Sequence, residues 1–596
     1  MISQDQTVIR RGAWASHARS ILLMELPAWQ LLILAAAVGA LWAASLFDWD
    51  FVVGRDAFWR FPQGTIGGAE NDLAAPLAAY FYYVQSPWHL PLFYISALDA
   101  PSGVNAIYTD FVPIVALIGK IIHSLTGAVV NLYGGYFFLC FSLSGVMMTL
   151  VLIAAKVRSA LATVIGAVFA DTAPILLWRW GHGALVPQYL LICALALYLF
   201  SLEKRGWRRV ILGWLSLLIF TYLTNIYLFA MVGIVWLCAV LQRRLGGLAT
   251  IREVLGIGVL TVVAVMSVIA VGGQFSSGSP PPFTSDYGIP SMNLLSPFAP
   301  QKSGLFPGLG GVIDATRGQY EGFNYLGFGL LLASLLVLPL EVSWFRQNLK
   351  SHVVLFVAFA AVTAFAISNR PFAGHWLLFE LPLPHIKRVL GIFRSGGRFF
   401  WLIWYAQLAV VIILGFRRAR PAFALCLVGA AIIQLFDVQP LREQIIASIA
   451  NGPGPEKLDP SELARVVAGA RRIEVVPSFQ CSNTKDLWRA NTELMLAAAR
   501  QNVPTNTVYL DRYTYGASVR DLLREPSRTD DLLRARRDEY CKQEIERARS
   551  GGRLGDVFVL LSDQPRSEQM LPDITCSPLS WVRYCQKSES RQNRSQ

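Results

Sequence analysis

Long apolar runs separated by short polar segments fill most of the chain up to about residue 440. A run of about 20 apolar residues is long enough to cross the hydrocarbon core of a bilayer as a helix. The pattern predicts eleven such spans and is typical of an α-helical polytopic membrane protein. The predicted spans are 27–47, 129–153, 159–176, 185–202, 209–222, 225–241, 254–271, 323–341, 352–368, 399–416 and 421–436.

The segment 209–241 is interpreted as two spans that turn near Thr221 to Asn225. A single helix of that length would be about 50 Å long at 1.5 Å per residue. Both flanks of the segment are also basic, and positive residues favour the cytoplasmic side of a membrane. A helical hairpin explains the length and the charges together.

Clusters of Lys and Arg between the spans predict the orientation of the chain. With a cytoplasmic N-terminus, nearly all of these clusters fall on the cytoplasmic side, as the positive-inside rule requires. In that orientation the apolar segment 105–127 cannot be a span. We therefore expect it to form a helix along the outer surface, with Lys120 and His123 on its polar side.

The orientation divides the chain into a cytoplasmic N-terminus (1–26), a transmembrane domain (27–436) and an external C-terminal domain (437–596). Two long external loops, 48–128 and 272–322, belong to the transmembrane domain. Loops of that length inside a compact domain are usually functional.

The C-terminal domain is more polar, and short apolar runs alternate in it with helical patterns. The runs 471–476, 507–510 and 556–561 predict strands, so we expect a small α/β domain. An even number of cysteines outside the spans fits one or two disulfides in an oxidising compartment, with the pairing left open. These cysteines are Cys481, Cys541, Cys576 and Cys585.

Composition excludes some classes of function. The residues are 54% hydrophobic and only 15% charged, and the net charge is +13. The positive charge lies in short clusters between apolar runs rather than along one soluble face, so it indicates membrane topology and not nucleic-acid binding. The sequence contains neither a Walker A motif nor a CxxC or HExxH motif. ATP use and a protein-built zinc site are therefore not expected.

The first external loop is rich in acidic residues. Glu70 and Asp72 precede an amphipathic stretch, which would place a carboxylate at the outer rim of the membrane above a flat helix. The simpler interpretation is that Asp72 only caps that helix. Asp110, just before the 105–127 helix, carries the same ambiguity, and Asp56 is a further acidic candidate.

The stretch KRVLGIFRSGGRFFW, residues 387–401, places four cations on the external side, where topology alone would not put them. They are Lys387, Arg388, Arg394 and Arg398. Anchoring to anionic lipid is one explanation, and it suffices for the first two. Arg179 and His182 are further ionisable residues close to a span end, where a functional role is the usual hypothesis.

The order of these features resembles the GT-C class of membrane glycosyltransferases, in a bacterial branch of largely uncharacterised membrane proteins. The resemblance covers roughly residues 25–440 and does not include the C-terminal domain. It rests on GGAENDLAAPLAAYFYYVQSPW (67–88), SPWHLP (86–91), YTDFVPIVALIGK (108–120), the GH and apolar span at 181–202, and FRSGGRFFW (393–401).

The resemblance implies transfer of a sugar from a polyprenyl-phosphate donor to a glycan, lipid or protein acceptor at the periplasmic face of a bacterial inner membrane. The domain 437–596 would then be periplasmic. Such a transfer needs a carboxylate base near the acceptor hydroxyl, and Asp72 is the first candidate. Behind it stand Glu70, Asp56 and Asp110.

The leaving group in that reaction is a lipid phosphate, whose developing charge fixed cations would stabilise. Arg394 and Arg398 are four residues apart, so on one helical face both could contact one phosphate. Arg179 and His182 are the other candidates for phosphate binding. A divalent cation held by loop acids is possible for this class, although no spacing identifies a site.

Three other functions remain open on the sequence. A flippase or transporter of lipid-linked glycans would be expected to show internal repeats or charges in mid-span, and neither is clear. A polysaccharide polymerase would share the topology and the external arginines but use an oligosaccharide donor. A non-catalytic assembly protein would use the C-terminal domain to bind a partner.

Overall fold

The computed structural model describes most of the chain. The described residues are 24–62, 72–204, 206–274, 287–309, 313–383, 387–417, 421–453, 458–510, 513, 515, 529–549, 557–560, 574–580 and 582–587. Every structural statement below refers to these residues.

The secondary structure is mainly helical, with short strands in segments between the apolar helices and in the C-terminal part. The α helices are α1 (Ala28–Ala44), α2 (Trp49–Val52), α3 (Ala74–Gln85), α4 (Pro113–Thr126), α5 (Tyr133–Ala154), α6 (Ala160–Asp171), α7 (Pro174–Leu177), α8 (Tyr189–Ser201), α9 (Trp207–Tyr222), α10 (Ile226–Leu245), α11 (Ile251–Gly272), α12 (Phe328–Val337), α13 (Val342–Asn348), α14 (Val353–Ile367), α15 (Lys387–Leu390), α16 (Trp401–Arg417), α17 (Pro421–Asp437), α18 (Gln439–Ala450), α19 (Pro460–Ala468), α20 (Lys485–Arg500) and α21 (Thr529–Arg549). The strands are β1 (Tyr94–Ile95), β2 (Val104–Asn105), β3 (Phe372–Ala373), β4 (Trp376–Leu377), β5 (Ile473–Val476), β6 (Val557–Leu560), β7 (Ile574–Leu579) and β8 (Val582–Lys587).

In the described residues, eight helices are long and apolar enough to cross a membrane, or up to ten if each of two bent pairs counts as one span. The eight are Tyr133–Ala154, Ala160–Leu177, Gly183–Ser201, Ile226–Leu245, Ile251–Gly272, Phe328–Asn348, Lys350–Ile367 and Gly396–Arg417. The bent pairs are Ala28–Ala44 with Trp49–Arg60 and Ala422–Asp437 with Gln439–Ala450. The predicted polytopic helical architecture is confirmed, whereas the count of eleven is not, because α9 has only 16 residues.

The predicted hairpin in 209–241 is present. Helix α9 ends at Tyr222, and α10 begins at Ile226. Asn225 caps α10, since its side chain accepts a hydrogen bond of 2.8 Å from the backbone N–H of Tyr227. A capping asparagine satisfies one of the free N–H groups at a helix start and fixes the turn there.

The first external segment differs from the prediction in two ways. Helix α3 is buried from Ala74 to Val84, so it does not lie flat on a membrane with one exposed face. Lys120 of α4 is also buried rather than on a polar side. Its ammonium donates to the carbonyl of Tyr83 at 3.1 Å and to the hydroxyl of Ser86 at 2.8 Å. A buried ammonium needs such acceptors, and α3 supplies them.

The C-terminal part contains a mixed four-stranded sheet and flanking helices, which confirms the predicted α/β domain. The strand order is β5-β6-β8-β7, with β5 and β6 parallel and the other pairs antiparallel. Residues 507–510 do not form the predicted strand, because their backbone makes no ladder with a neighbour. Disulfides join Cys481 to Cys541 and Cys576 to Cys585.

The C-terminal part packs directly on the first external segment. Helix α20 packs against α3. The Tyr82 hydroxyl donates to the carbonyl of Val503 at 2.5 Å, and Gln85 donates to the carbonyl of Ala499 at 2.8 Å. Thr505 exchanges backbone hydrogen bonds with the 97–100 segment. These contacts cover α3 from outside and explain its burial.

Candidate functional site

A cluster of charged side chains lies where the segments that connect the apolar helices meet the ends of those helices. Asp72 stands just before α3, and His182 Nε2 lies 2.7 Å from its Oδ2. The hydroxyl of Tyr509 donates to Asp72 Oδ1 at 3.0 Å. Both side chains of the Asp72–His182 pair are partly accessible, at 17% and 18%. The carboxylate is therefore oriented by two neighbours and remains partly exposed to solvent.

A tight turn between α7 and the span Gly183–Ser201 carries two members of the cluster. The backbone N–H of His182 donates to the carbonyl of Arg179 at 2.9 Å, which closes the turn. The Tyr136 hydroxyl donates to the carbonyl of Gly183 at 2.9 Å and ties the turn to α5. This bonding holds His182 at the start of a membrane helix, next to the first external segment.

Glu321 is the second carboxylate of the cluster. It lies in the short 3₁₀ turn Gln319–Gly322. Its Oε2 accepts a hydrogen bond of 2.6 Å from the Ser395 hydroxyl and forms an ion pair with Arg398 Nη2. Arg179 Nη2 donates to the backbone carbonyl of Glu321 at 2.6 Å. Three segments that are distant in sequence thus meet at one acidic residue.

Close backbone packing joins the turn of Glu321 to the segment of Arg398. A Cβ added to Gly397 would lie 2.6 Å from the Cα of Gly322, so only glycine fits there. Asn324 Nδ2 donates at 2.9 Å to the carbonyls of both Gly322 and Gly397. The glycines of the FRSGGRFFW stretch therefore serve the close approach that positions the ion pair.

Arg394 and Arg398 do not share one helical face, so that prediction is wrong. Arg394 ends one short 3₁₀ turn and Arg398 belongs to the next, Gly396–Phe400. Ser395 between them has ψ near 61°, which breaks the helical geometry. Arg398 is buried and stacks over the Tyr227 ring at 5.0 Å from the ring centroid. Arg394 is half-buried and close enough to interact electrostatically with Arg398.

Both carboxylates stay ionised at neutral pH. Burial raises the pKa of Asp72, but His182 and the Tyr509 hydrogen bond lower it by more, so the net shift is downward. Burial also raises the pKa of Glu321, and Arg398, Arg179 and His182 together hold it well below its usual value. Burial lowers the pKa of Arg179 to about 10, which leaves this guanidinium charged.

The family described as "Domain of unknown function (DUF6311)" matches residues 36–439, and the "DUF6311 C-terminal domain" matches residues 462–533. The chain belongs to the DUF6311 family. No curated protein matches its sequence.

Three solved structures resemble this DUF6311 chain over most of its length. ArnT from Cupriavidus metallidurans in the apo state is 13% identical, with a TM-score of 0.44 and coverage of 94% of this chain and 97% of that one. ArnT bound to undecaprenyl phosphate is 13% identical, with a TM-score of 0.42 and coverage of 95% and 99%. The Archaeoglobus fulgidus oligosaccharyltransferase, in complex with Zn and sulfate, is 12% identical, with a TM-score of 0.41 and coverage of 90% and 69%. At these scores the overall likeness is distant.

Asp56 and Asp110, the other predicted acids that the structure describes, have contacts of their own. Asp56 caps a short turn, and its carboxylate accepts a hydrogen bond of 2.7 Å from the backbone N–H of Phe58. Asp110 is exposed at the end of a 3₁₀ turn, with φ of 56°, and interacts electrostatically with Arg398. Glu70 lies outside the described residues, and the side chains of Lys387 and Arg388 are likewise not described.

The described carboxylates do not form a cation site as they are arranged. No group of three or more His, Cys, Asp and Glu in the described part of the chain could hold a metal ion. Asp72 is engaged by His182, and Glu321 is engaged by Arg398. A hard divalent cation needs several free oxygen ligands around one point.

Sequence reasoning missed two residues of the cluster. Glu321 lies in the 272–322 loop, where a lone acid beside a span gave no signal of its own. Tyr509 belongs to the C-terminal part, which the resemblance did not cover. A buried tyrosine hydroxyl in that part could be expected from the sequence. The position of Tyr509 beside Asp72, however, depends on tertiary packing.

Proposed function

We propose that this protein is a GT-C type glycosyltransferase that transfers a sugar from a polyprenyl-phosphate donor to a glycan, lipid or protein acceptor. The reaction would take place at the periplasmic face of a bacterial inner membrane, where the sequence orientation puts Asp72. The donor class comes from the sequence resemblance, and the arrangement of the charged cluster supports the type of chemistry.

The observation that carries the proposal is the Asp72 carboxylate. It is ionised at neutral pH, oriented on its two oxygens by His182 and Tyr509, and partly accessible. A general base has to be ionised, correctly oriented and within reach of the proton that it accepts. Burial of a carboxylate in a purely structural ion pair would not leave it open to a substrate.

In the proposed step, the acceptor hydroxyl gives its proton to Asp72 while its oxygen bonds to the anomeric carbon of the donor sugar. The bond between that carbon and the phosphate oxygen breaks, and its electron pair goes to the phosphate. Polyprenyl phosphate leaves, and the configuration at the anomeric carbon inverts. Direct displacement needs no second carboxylate as nucleophile.

The cations of the cluster fit the needs of the leaving phosphate. The cluster contains three guanidinium groups and two carboxylates, so its arginines outnumber its acids. Arg394 is our choice for direct phosphate contact because it is half-buried rather than enclosed. Arg179 and Arg398 are held by Glu321 and its backbone, and they supply a fixed positive potential. Preorganised charge of this kind stabilises a developing anion.

The test is transfer by the purified protein in lipid nanodiscs, with a panel of synthetic polyprenyl-phosphate sugars and acceptors. Asp72→Asn should reduce transfer by about 10²- to 10⁴-fold, the usual contribution of one positioned base. Asp56→Asn is the matched control, because it makes the same change in the same external segment at a residue that caps a turn.

Transfer that disappears in a folded Asp72→Asn variant and persists in Asp56→Asn would support the proposal. Transfer that survives in both variants would keep the reaction and reject Asp72 as its base. If the wild-type protein transfers no sugar from the polyprenyl-phosphate panel but does transfer an oligosaccharide from an oligosaccharide donor, that result would indicate a polymerase. Movement of a lipid-linked glycan across the bilayer without transfer would indicate a flippase.

A further inference from the structure

A cavity lies at the end of the membrane helices opposite to the charged cluster around Asp72. It has a volume of about 660 Å³ and is formed between α5, α8, α14 and α16, with Trp344 at one side. A volume of this size lies within the range of roughly 300–1,000 Å³ that ligand sites occupy. The cavity contains none of the residues of the charged cluster around Asp72.

The helices themselves give the distance between the two sites. The span Gly183–Ser201 starts beside His182 and carries Tyr198 of the cavity near its end. The span Gly396–Arg417 contains Arg398 near its start and ends at Arg417 in the cavity. At 1.5 Å per residue, about 19 residues correspond to roughly 28 Å, close to the thickness of the hydrocarbon core. The cavity therefore opens at the opposite membrane face.

The walls and the rim of the cavity differ in chemistry. Apolar side chains form the walls, among them Leu199, Phe359 and Phe416. The rim carries Arg158 and Arg417, which are both exposed. This division matches a molecule with an apolar chain and an anionic head.

The other charged groups of the rim leave those two arginines available. Lys156 also lines the rim, but it forms an ion pair with Glu203. Glu25 is the one carboxylate in the lining. In the described part of the chain, no hydrogen bond or ion pair involves the guanidinium of Arg158 or Arg417.

His352 lies in the cavity wall beneath the rim and is tied to Tyr198, with 3.0 Å between Nδ1 and the Tyr hydroxyl. The pair joins α8 to the start of α14 and places polar groups in the cavity wall. Trp344 is half-buried at the same end, and Trp is enriched at the interface between membrane and water.

We propose that this cavity binds one anionic phospholipid of the surrounding leaflet. Its acyl chain would lie between the apolar helix faces, and Arg158 and Arg417 would contact its phosphate. Positive charge at this face is expected from topology alone. The cavity adds what topology does not require, a packed apolar slot next to two exposed guanidinium groups. The inference does not depend on the proposed glycosyl transfer.

The test is native mass spectrometry of the full-length protein after delipidation, with phosphatidylglycerol, phosphatidylcholine or a polyprenyl phosphate added back. We expect one tightly retained phosphatidylglycerol and no matching retention of phosphatidylcholine. The double variant Arg158→Gln/Arg417→Gln should weaken retention by about 30-fold, or about 5-fold for each cation. Arg208→Gln/Arg209→Gln is the matched control, because these exposed arginines stand at the same face, at the start of α9, and do not line the cavity.

A further variant, Ala155→Trp, fills the slot and leaves the arginines in place, because Ala155 lines the cavity at the end of α5. It should also lose the retained lipid, with unchanged size-exclusion behaviour as the check on folding. Equal weakening in the two arginine pairs would overturn the proposal in favour of general attraction to the charged face. Equal retention of both lipids, or retention of a polyprenyl phosphate in preference to phosphatidylglycerol, would overturn it as well.

Discussion

The ion pair of Glu321 and Arg398 gives the sharpest prediction, and Glu321→Gln is the perturbation. The substitution keeps the shape of the side chain and its ability to accept a hydrogen bond from Ser395. It removes the negative charge that faces Arg398, whose residue is 7% exposed. Arg179, itself 2% exposed, also interacts electrostatically with Glu321 and loses that interaction in the variant. The variant therefore leaves two guanidinium groups close together inside the protein.

The magnitude follows from that burial. Removal of one partner from a buried ion pair typically costs about 3–5 kcal/mol, because the other charge stays buried and uncompensated. The matched control is Glu380→Gln, which removes the same charge from an exposed pair with Arg370 at 3.5 Å. An exposed pair contributes about 0–1 kcal/mol. We therefore expect Glu321→Gln to lower the free energy of unfolding by several kcal/mol more than Glu380→Gln.

The assay is chemical unfolding in mixed micelles, followed by the fluorescence of the 17 tryptophans. The double variant Glu321→Gln/Arg398→Gln completes a thermodynamic cycle, since it removes both charges together. It should be more stable than Glu321→Gln alone. If Glu321→Gln costs less than about 1 kcal/mol, or if the double variant is as unstable as the sum of both single changes, the reasoning is refuted. Arg398 would then find water or another partner.

Three further predictions concern the site and its cover. The pKa of Asp72 is depressed in the folded state, so its contribution to stability is complete above the ordinary value of 3.8 and is lost as the pH falls through the lower folded value. The difference in unfolding free energy between wild type and Asp72→Asn should therefore shrink as the pH falls below about 4. Tyr509→Phe keeps the ring against Phe479 but removes the hydrogen bond to Asp72, and the rate of transfer should fall about 10-fold with little change in KM, because about 1.4 kcal/mol of orientation is lost. Cys481→Ser/Cys541→Ser opens a loop of 60 residues and should lower the unfolding free energy of the C-terminal part by about 2–4 kcal/mol, measured against the same part with the disulfide intact.

The membrane part could be predicted from the sequence because its signal is local. Each span is a continuous apolar run, and the turn at Asn225 has its own capping residue. The bends escaped prediction because they depend on packing. Ala28–Ala44 and Trp49–Arg60 meet at 103°, which no hydropathy profile contains. The sequence predicts that residues 105–127 form a surface helix with Lys120 on its polar side. In the structure Lys120 is buried, so the side of the helix that carries Lys120 faces the protein.

The site was predicted only in part, for the same physical reason. Asp72 and His182 stood out because a charge near a span end is costly unless it has a partner or a task. Their meeting at 2.7 Å could not be deduced, since the two residues are 110 positions apart in the chain. Tyr509 is further still from its partner, at 437 positions from Asp72, and Glu321 is 77 positions from Arg398. Contacts of that range are set by tertiary structure alone.

The sequence of α3 nevertheless carries a signal for the C-terminal cover. Tyr80, Phe81, Tyr82 and Tyr83 are consecutive, so at about 100° per residue their rings point to all sides of the helix. A helix flat on a membrane could bury only one of those sides. Buried tyrosine hydroxyls also need partners, and Tyr82 finds its partner in the carbonyl of Val503. The C-terminal part, which covers α3, also places Tyr509 against Asp72. It therefore contributes a residue to the candidate site.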